Sequence, residues 1–129
     1  MSESELQQLI QIDGPQWGCF LLRNNSGAFE DKEGRVVRFG LGHTSRQHSD
    51  RIKSSDLVGF TQITIGPEHI GRILAVITVV ECKHPDWKPS PSDKREKAQR
   101  AFIEWIKAKG GFGGFAWSLE SFRKILGRL

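Results

Sequence analysis

Apolar residues fall in short clusters separated by turn-forming residues, and their spacing changes along the chain. Leu6, Leu9 and Ile10 recur at helical spacing behind Ser2 and Ser4, either of which can cap. A first helix is therefore expected, ended by Asp13-Gly14-Pro15 because proline blocks continuation. A strand follows over residues 18–23, turned by Asn24-Asn25-Ser26-Gly27. The charged stretch 28–35 reads as a loop, and 36–39 as a short second strand. Residues 56–65 form the next expected strand, broken at Gly66-Pro67. Residues 73–83 are rich in Ile and Val and apolar on both faces, the pattern of a strand at the centre of a covered sheet. Ser90-Pro91-Ser92-Asp93 opens a second long helix, with Asp93 and Glu96 at capping-box spacing. Its stripe is Ala98, Ala101, Phe102, Trp105 and Ile106, and Gly110-Gly111 stops it. Phe115-Ala116-Trp117 is a short strand, and Ser118 caps a last helix. Trp17, Trp105 and Trp117 read as core residues, and Trp87, in a proline-bounded loop, as a residue that covers the helix or fills a dimer interface in preference to stacking on an unpaired base or wedging a junction. The order α-β-β-β-β-α-β-α predicts an α/β fold with a mixed central sheet flanked by helices.

One segment escapes this pattern. Residues 41–55 are polar, lack a period of their own and form a long loop for so short a chain, expected to be mobile. They carry Arg46, Arg51 and Lys53, which are candidate phosphate contacts, and His43 and His48, which have no soft ligand beside them. The 129 residues suit one domain over 1–129. The longest near-apolar run, residues 73–80, falls far short of the ~20 residues that span a bilayer. An acidic N-terminus with no basic, apolar leader points to a cytoplasmic protein. Cys19 and Cys82 are too few and too far apart for a disulfide framework or a CxxC zinc site. Lys and Arg number 19 against 15 acids, and the surplus is uneven. Residues 1–64 are net −1 and residues 65–129 net +5, with eight basic side chains between Lys83 and Lys109. A basic segment of this kind suits a polyanion, and equally a solvated helix face.

The end of the 73–83 strand is chemically unusual. Glu81 and Lys83 project from one face and Cys82 from the other, so a carboxylate and an ammonium stand side by side at the sheet rim. A strand-end ion pair would account for that alone. Asp56 opens another strand, and if the two strands pair, Asp56 approaches Glu81. Two such carboxylates repel unless a cation lies between them, and hard oxygen ligands suit Mg²⁺ or Mn²⁺. A lysine beside such a metal can orient a water and offset charge developing on a phosphate.

Asp56…Glu81-Cys82-Lys83 on consecutive strands, followed by a helix, resembles the PD-(D/E)XK nuclease superfamily. More narrowly, the chain resembles a stand-alone virus-type replication-repair nuclease (VRR-NUC) domain over nearly its whole length. Glu3-Ser4-Glu5-Leu6-Gln7 is similar to that family's first helix, and Arg23-Asn24-Asn25-Ser26-Gly27-Ala28 to its first hairpin. Asp56-Leu57-Val58-Gly59-Phe60 and Val80-Glu81-Cys82-Lys83 resemble its two catalytic strands. Gln99-Arg100-Ala101-Phe102, Gly110-Gly111 and Ala116-Trp117-Ser118 resemble its closing helix, turn and strand. Ser55 stands where the family usually has proline, and the 41–55 loop is longer than the family's link.

The resemblance implies a restriction-endonuclease-like fold in which Asp56, Glu81 and the Cys82 carbonyl ligate Mg²⁺ or Mn²⁺. It implies that Lys83 positions the attacking water, that Gln99 supports both, and that Glu3 is the helix acid, with Glu5 the competing register. Lys88, Lys94, Lys97 and Arg100 join the loop cations as candidate DNA contacts. The implied activity is metal-dependent DNA endonuclease, structure-selective on branched DNA such as Holliday junctions. The implied protein is a homodimer in the cytoplasm of a bacterial cell or phage-infected host. A flap or general DNA nuclease, and a non-catalytic DNA-binding module of a replication-repair complex, are the alternative readings.

Overall fold

A computed structural model describes residues 1–25, 27–39, 41 and 55–127. Arg46, Arg51, Lys53 and nearly all of the expected 41–55 loop lie outside the described residues. The chain divides into two compact units, Met1–Ile63 and Thr64–Leu129.

The first unit opens with α1 (Glu3–Asp13), and Ser2 is the cap. Its hydroxyl accepts from Glu5 N at 3.1 Å, while the Glu5 carboxylate accepts from Ser2 N at 2.9 Å. This reciprocal pair satisfies two of the donors that a helix start leaves open. A 3₁₀ turn (Gly14–Trp17) leads into β1 (Cys19–Arg23), followed by β2 (Gly27–Glu30), β3 (Val36–Phe39) and β4 (Leu57–Thr61). Strands β1 and β4 pair antiparallel from Cys19 opposite Thr61 to Arg23 opposite Leu57. Phe20 faces Phe60 in this ladder, and their rings stack with centroids 5.4 Å apart. Gly59 is required there, because a Cβ would sit 1.8 Å from the Phe20 carbonyl oxygen.

Two expectations are corrected in this unit. Residues 28–35 are not all loop: β2 and β3 form an antiparallel hairpin, Ala28 opposite Arg38 and Glu30 opposite Val36. Asp31 makes its turn, accepting from Glu33 N at 3.0 Å and from Arg35 N at 2.8 Å, with Gly34 at φ +81° closing it. The charges that looked like a loop are the turn and the solvated rim of a short hairpin. Trp17, expected in the core, is 70% exposed, and its indole N–H donates to Asp13 at 2.9 Å.

The second unit holds β5 (Thr78–Cys82), α2 (Lys94–Ala108), β6 (Phe112–Ala116) and α3 (Leu119–Ile125), after a 3₁₀ turn at Pro67–His69. Strands β5 and β6 run parallel, Thr78 opposite Phe112 through Cys82 opposite Ala116, so β5-α2-β6 is a crossover unit. The two glycines in β6 let a helix approach on each face. A Cβ on Gly113 would lie 3.1 Å from Ile103 of α2, and one on Gly114 would lie 2.8 Å from Ile125 of α3. Ser118 caps α3, its hydroxyl accepting from Ser121 N at 3.1 Å.

Ile103, Ile106 and Ala116 are the buried apolar residues among the described residues of this unit. The inward face of α2 differs from the expected stripe. It runs through Glu96, Gln99, Ile103 and Ile106, whereas Ala98, Ala101 and Phe102 are exposed. The expected stripe holds at Ile106 but misplaces the first half of the inner face, because two polar side chains, Glu96 and Gln99, fill it. The strand expected at 73–83 is shortened to five residues, and Ile73 is 99% exposed. Its partner β6 starts only at Phe112, after the Gly110 turn at φ +103°, so no ladder is available further back than the Phe112 N to Ile77 O bond of 2.9 Å. Trp117, also expected in the core, is 43% exposed.

Among the described residues the architecture is a small mixed α/β protein of three helices and three two-stranded sheets, β1–β4, β2–β3 and β5–β6. The ladder partner of the Asp56 strand is β1, where the sequence suggested the Glu81 strand. No described helix is long and apolar enough to cross a membrane.

Candidate functional site

Where β5 ends, three polar side chains meet. The ladder directs Glu81 and Phe115, opposite one another, to the same face as Val79 and Gly113, the face that α2 covers. Lys83 lies two residues on, its backbone N–H donating to Ala116 O at 2.8 Å, which carries the extended course past the last strand residue. Gln99 enters from α2, one turn before Ile103, and Ile103 anchors the helix against Gly113.

Lys83 Nζ donates to Gln99 Oε1 at 2.7 Å, and Gln99 Nε2 donates to Glu81 Oε1 at 2.9 Å. The amide orientation follows from chemistry, since only the carbonyl end can accept from an ammonium and only the NH₂ end can donate to a carboxylate. Among the described residues the two charges form no ion pair of their own; Gln99 bridges them. The strand-end ion pair is thus replaced by a three-member chain, which leaves two ammonium protons and one carboxylate oxygen uncommitted to Gln99.

These residues open on a cleft of about 410 Å³ whose walls include Glu81, Cys82, Lys83, Lys88, Arg95 and Gln99. A second cleft of about 390 Å³, with Val79, Phe102 and Arg95 in its wall, also meets Glu81 and Gln99. Lys83 Nζ lies 5.5 Å from the centre of the Phe115 ring, and Arg100 Cζ lies 4.8 Å from it. An aromatic face attracts cations through its quadrupole, so Phe115 is a second restraint on the lysine.

The remaining expected site residues are distributed as follows. Lys88, Lys94 and Lys97 are exposed in the same unit. Arg100 is also at the surface, yet its guanidinium contacts Glu96 at 3.4 Å and covers Phe115. Asp56 and Glu3 belong to the first unit, outside the hydrogen-bonded set. Asp56 is exposed just before β4 and is fixed by Asn24, whose backbone N–H donates to Asp56 O and whose side chain donates to Ser55 O, both at 2.9 Å. Glu3 sits in the first turn of α1, while Glu5 is committed to the cap.

Sequence reasoning missed two contributors. Asn24 looked like a turn residue, whereas it ties the end of β1 to the segment bearing Asp56. Glu96 looked like the return half of a capping box. Asp93 does cap α2, accepting from Glu96 N at 2.8 Å, but the Glu96 carboxylate turns away to Trp87 and Ser90. Its signal was its place three residues before Gln99, on the same helix face.

Among the described residues no three His, Cys, Asp or Glu side chains gather into a metal cage. No protein-family model, no curated protein and no solved structure matches the chain.

Proposed function

We propose that this protein is a Mg²⁺- or Mn²⁺-dependent DNA endonuclease with a restriction-endonuclease-like fold. Its substrate is branched DNA, such as a Holliday junction, cut by a homodimer. The observation that carries this reading is the Lys83–Gln99–Glu81 chain at the end of β5. A binding module has no need for a carboxylate and an ammonium held apart by a shared amide. A phosphodiesterase does, because the carboxylate must face a cation while the ammonium faces water and phosphate.

The structure offers one carboxylate, that of Glu81, to a hard divalent cation. Glu81 keeps an oxygen beyond its Gln99 bond and faces an open cleft, a setting in which Mg²⁺ retains several waters and takes few protein ligands. Asp56 and the Cys82 carbonyl are the further ligands on the strength of the sequence resemblance, with Glu3 as the helix acid. When bound, the cation polarises the scissile phosphate and acidifies water. Lys83 orients the attacking water through its remaining protons and offsets the charge gathering on the phosphate. Gln99 holds Lys83 and Glu81 at fixed separation, so neither has to reorganise during the reaction. Lys88, Lys94 and Lys97 hold the DNA backbone, with Arg46, Arg51 and Lys53 as further phosphate contacts.

The test is a cleavage panel. Purified protein is incubated with end-labelled linear, flap and four-way-junction DNA in Mg²⁺, Mn²⁺ or EDTA, beside Glu81→Ala. The expected result is metal-dependent cutting of the junction, lost in EDTA and in the variant. Cutting of linear or flap DNA alone would replace the junction assignment with a flap or general nuclease. Binding without cleavage in either metal would leave the DNA-binding module.

A further inference from the structure

The carboxylate of Glu96 is the most deeply buried charged group among the described residues, with the residue only 4% exposed. Burying a carboxylate is costly unless donors surround it. Three do so here: Trp87 Nε1 at 2.9 Å, Ser90 N at 2.8 Å and Arg100 Nη2 at 3.4 Å. Helix capping does not explain this arrangement, because Asp93 already performs it. Glu96 instead straps the segment after β5 down onto α2.

We propose that Glu96 is a positioning residue for Lys83, acting through Trp87, Arg100 and Phe115. With its N–H held by Glu96, the Trp87 ring stacks on Phe115, centroids 5.1 Å apart and planes 26° from parallel. Trp117 lies 5.6 Å from Trp87, so the indole is held by two aromatic neighbours. Arg100, held by the same carboxylate, lies over the Phe115 ring. Phe115 is therefore held by two groups that Glu96 orients. The same ring stands 5.5 Å from Lys83 Nζ. A lysine on a flexible four-carbon stem needs more than one restraint to hold its ammonium in place. Gln99 supplies one by hydrogen bonding, and Phe115 supplies the other by its face. Arg100, expected from sequence to contact phosphate, thereby becomes part of the support. The catalytic side of this inference rests on the nuclease reading; the link from Glu96 to Lys83 does not.

The experiment reads both. Protein labelled with ¹³C at lysine side chains reports the Lys83 ε-methylene signal, assigned by its disappearance in Lys83→Arg. Near the Phe115 ring that signal is displaced from the other lysines, and Glu96→Ala and Trp87→Leu return it towards them. In the cleavage assay kcat falls about tenfold in Glu96→Ala and about threefold in Glu96→Gln, which keeps one acceptor oxygen, while KM moves less than twofold. Far-UV circular dichroism checks folding, and Glu96→Gln decides the matter if the alanine variant does not fold. A Lys83 signal indifferent to Glu96 overturns the inference, as does a loss of activity carried equally by KM. If the signal responds but the unaltered protein cuts no DNA in either metal, the nuclease reading fails and the positioning role stands.

Discussion

Gln99 has two chemically different ends, and the site uses both. Its oxygen faces an ammonium at 2.7 Å and its nitrogen a carboxylate at 2.9 Å, so the side chain orders two charges without neutralising either. Methionine at this position keeps the length and loses both bonds. Gln99→Met is expected to lower the single-turnover cleavage rate about 10–100-fold, the usual cost of removing a group that orients a metal ligand. Rapid-quench measurement under saturating protein checks this, and an unchanged rate would show that the bridge has no catalytic part. Glu81 and Lys83 were legible in the sequence from alternation along a strand, whereas Gln99 was pointed to only by the family resemblance, because the apolar stripe of its helix left it to one side. Glu96 was hidden, because its spacing from Asp93 satisfied a familiar helix-start pattern while its carboxylate served a different purpose. Trp87 was legible as a loop residue, but its indole donor could find Glu96 only in three dimensions.

The crossover unit sets the site at the level of elements. Parallel β5 and β6 are joined by α2, and the approach of α2 is fixed by Ile103 and Ile106 packing over glycines. Ile106 has no exposed surface, so Ile106→Ala removes fully buried methyl groups from a small core. A loss of about 2–5 kcal/mol is expected in urea unfolding. Gly113→Val inserts a side chain where a single Cβ would already lie 3.0 Å from Val79 and 3.1 Å from Ile103. About 1–3 kcal/mol of destabilisation follows, along with a shift of α2 that, on the nuclease reading, is expected to impair cleavage. Stability equal to the unaltered protein in either variant would contradict this packing. At this scale the helices were readable from caps and stops, and the β5-α2-β6 order from the alternation of strand and helix patterns. Of the β2–β3 hairpin only β3 was readable, since β2 is four residues running into a charged turn and carries too little periodicity. The length of β5 was also unreadable, because it is set by where β6 begins rather than by the apolar run itself.

For the whole molecule, the modest surplus of 19 basic over 15 acidic residues gains meaning from its location. Lys94 and Lys97 stand exposed on the first turns of α2, the helix that delivers Gln99. If they hold DNA phosphates, replacing each with alanine lowers the slope of log affinity against log salt by about 0.9, as seen in fluorescence-anisotropy titrations. An unaltered slope would make them ordinary solvated charges. Asp56 stands in the other unit, and the nuclease reading requires its carboxylate. Asp56→Asn is expected to abolish cleavage while leaving the Lys83 ε-methylene signal in place. The central claim, that Lys83 serves phosphodiester hydrolysis, is tested most directly by the single-turnover rate on a labelled four-way junction in Mg²⁺ for the unaltered protein and for Lys83→Ala. The account predicts cleavage by the unaltered protein and a rate at least about 100-fold lower in the variant; equal rates in the two would contradict it.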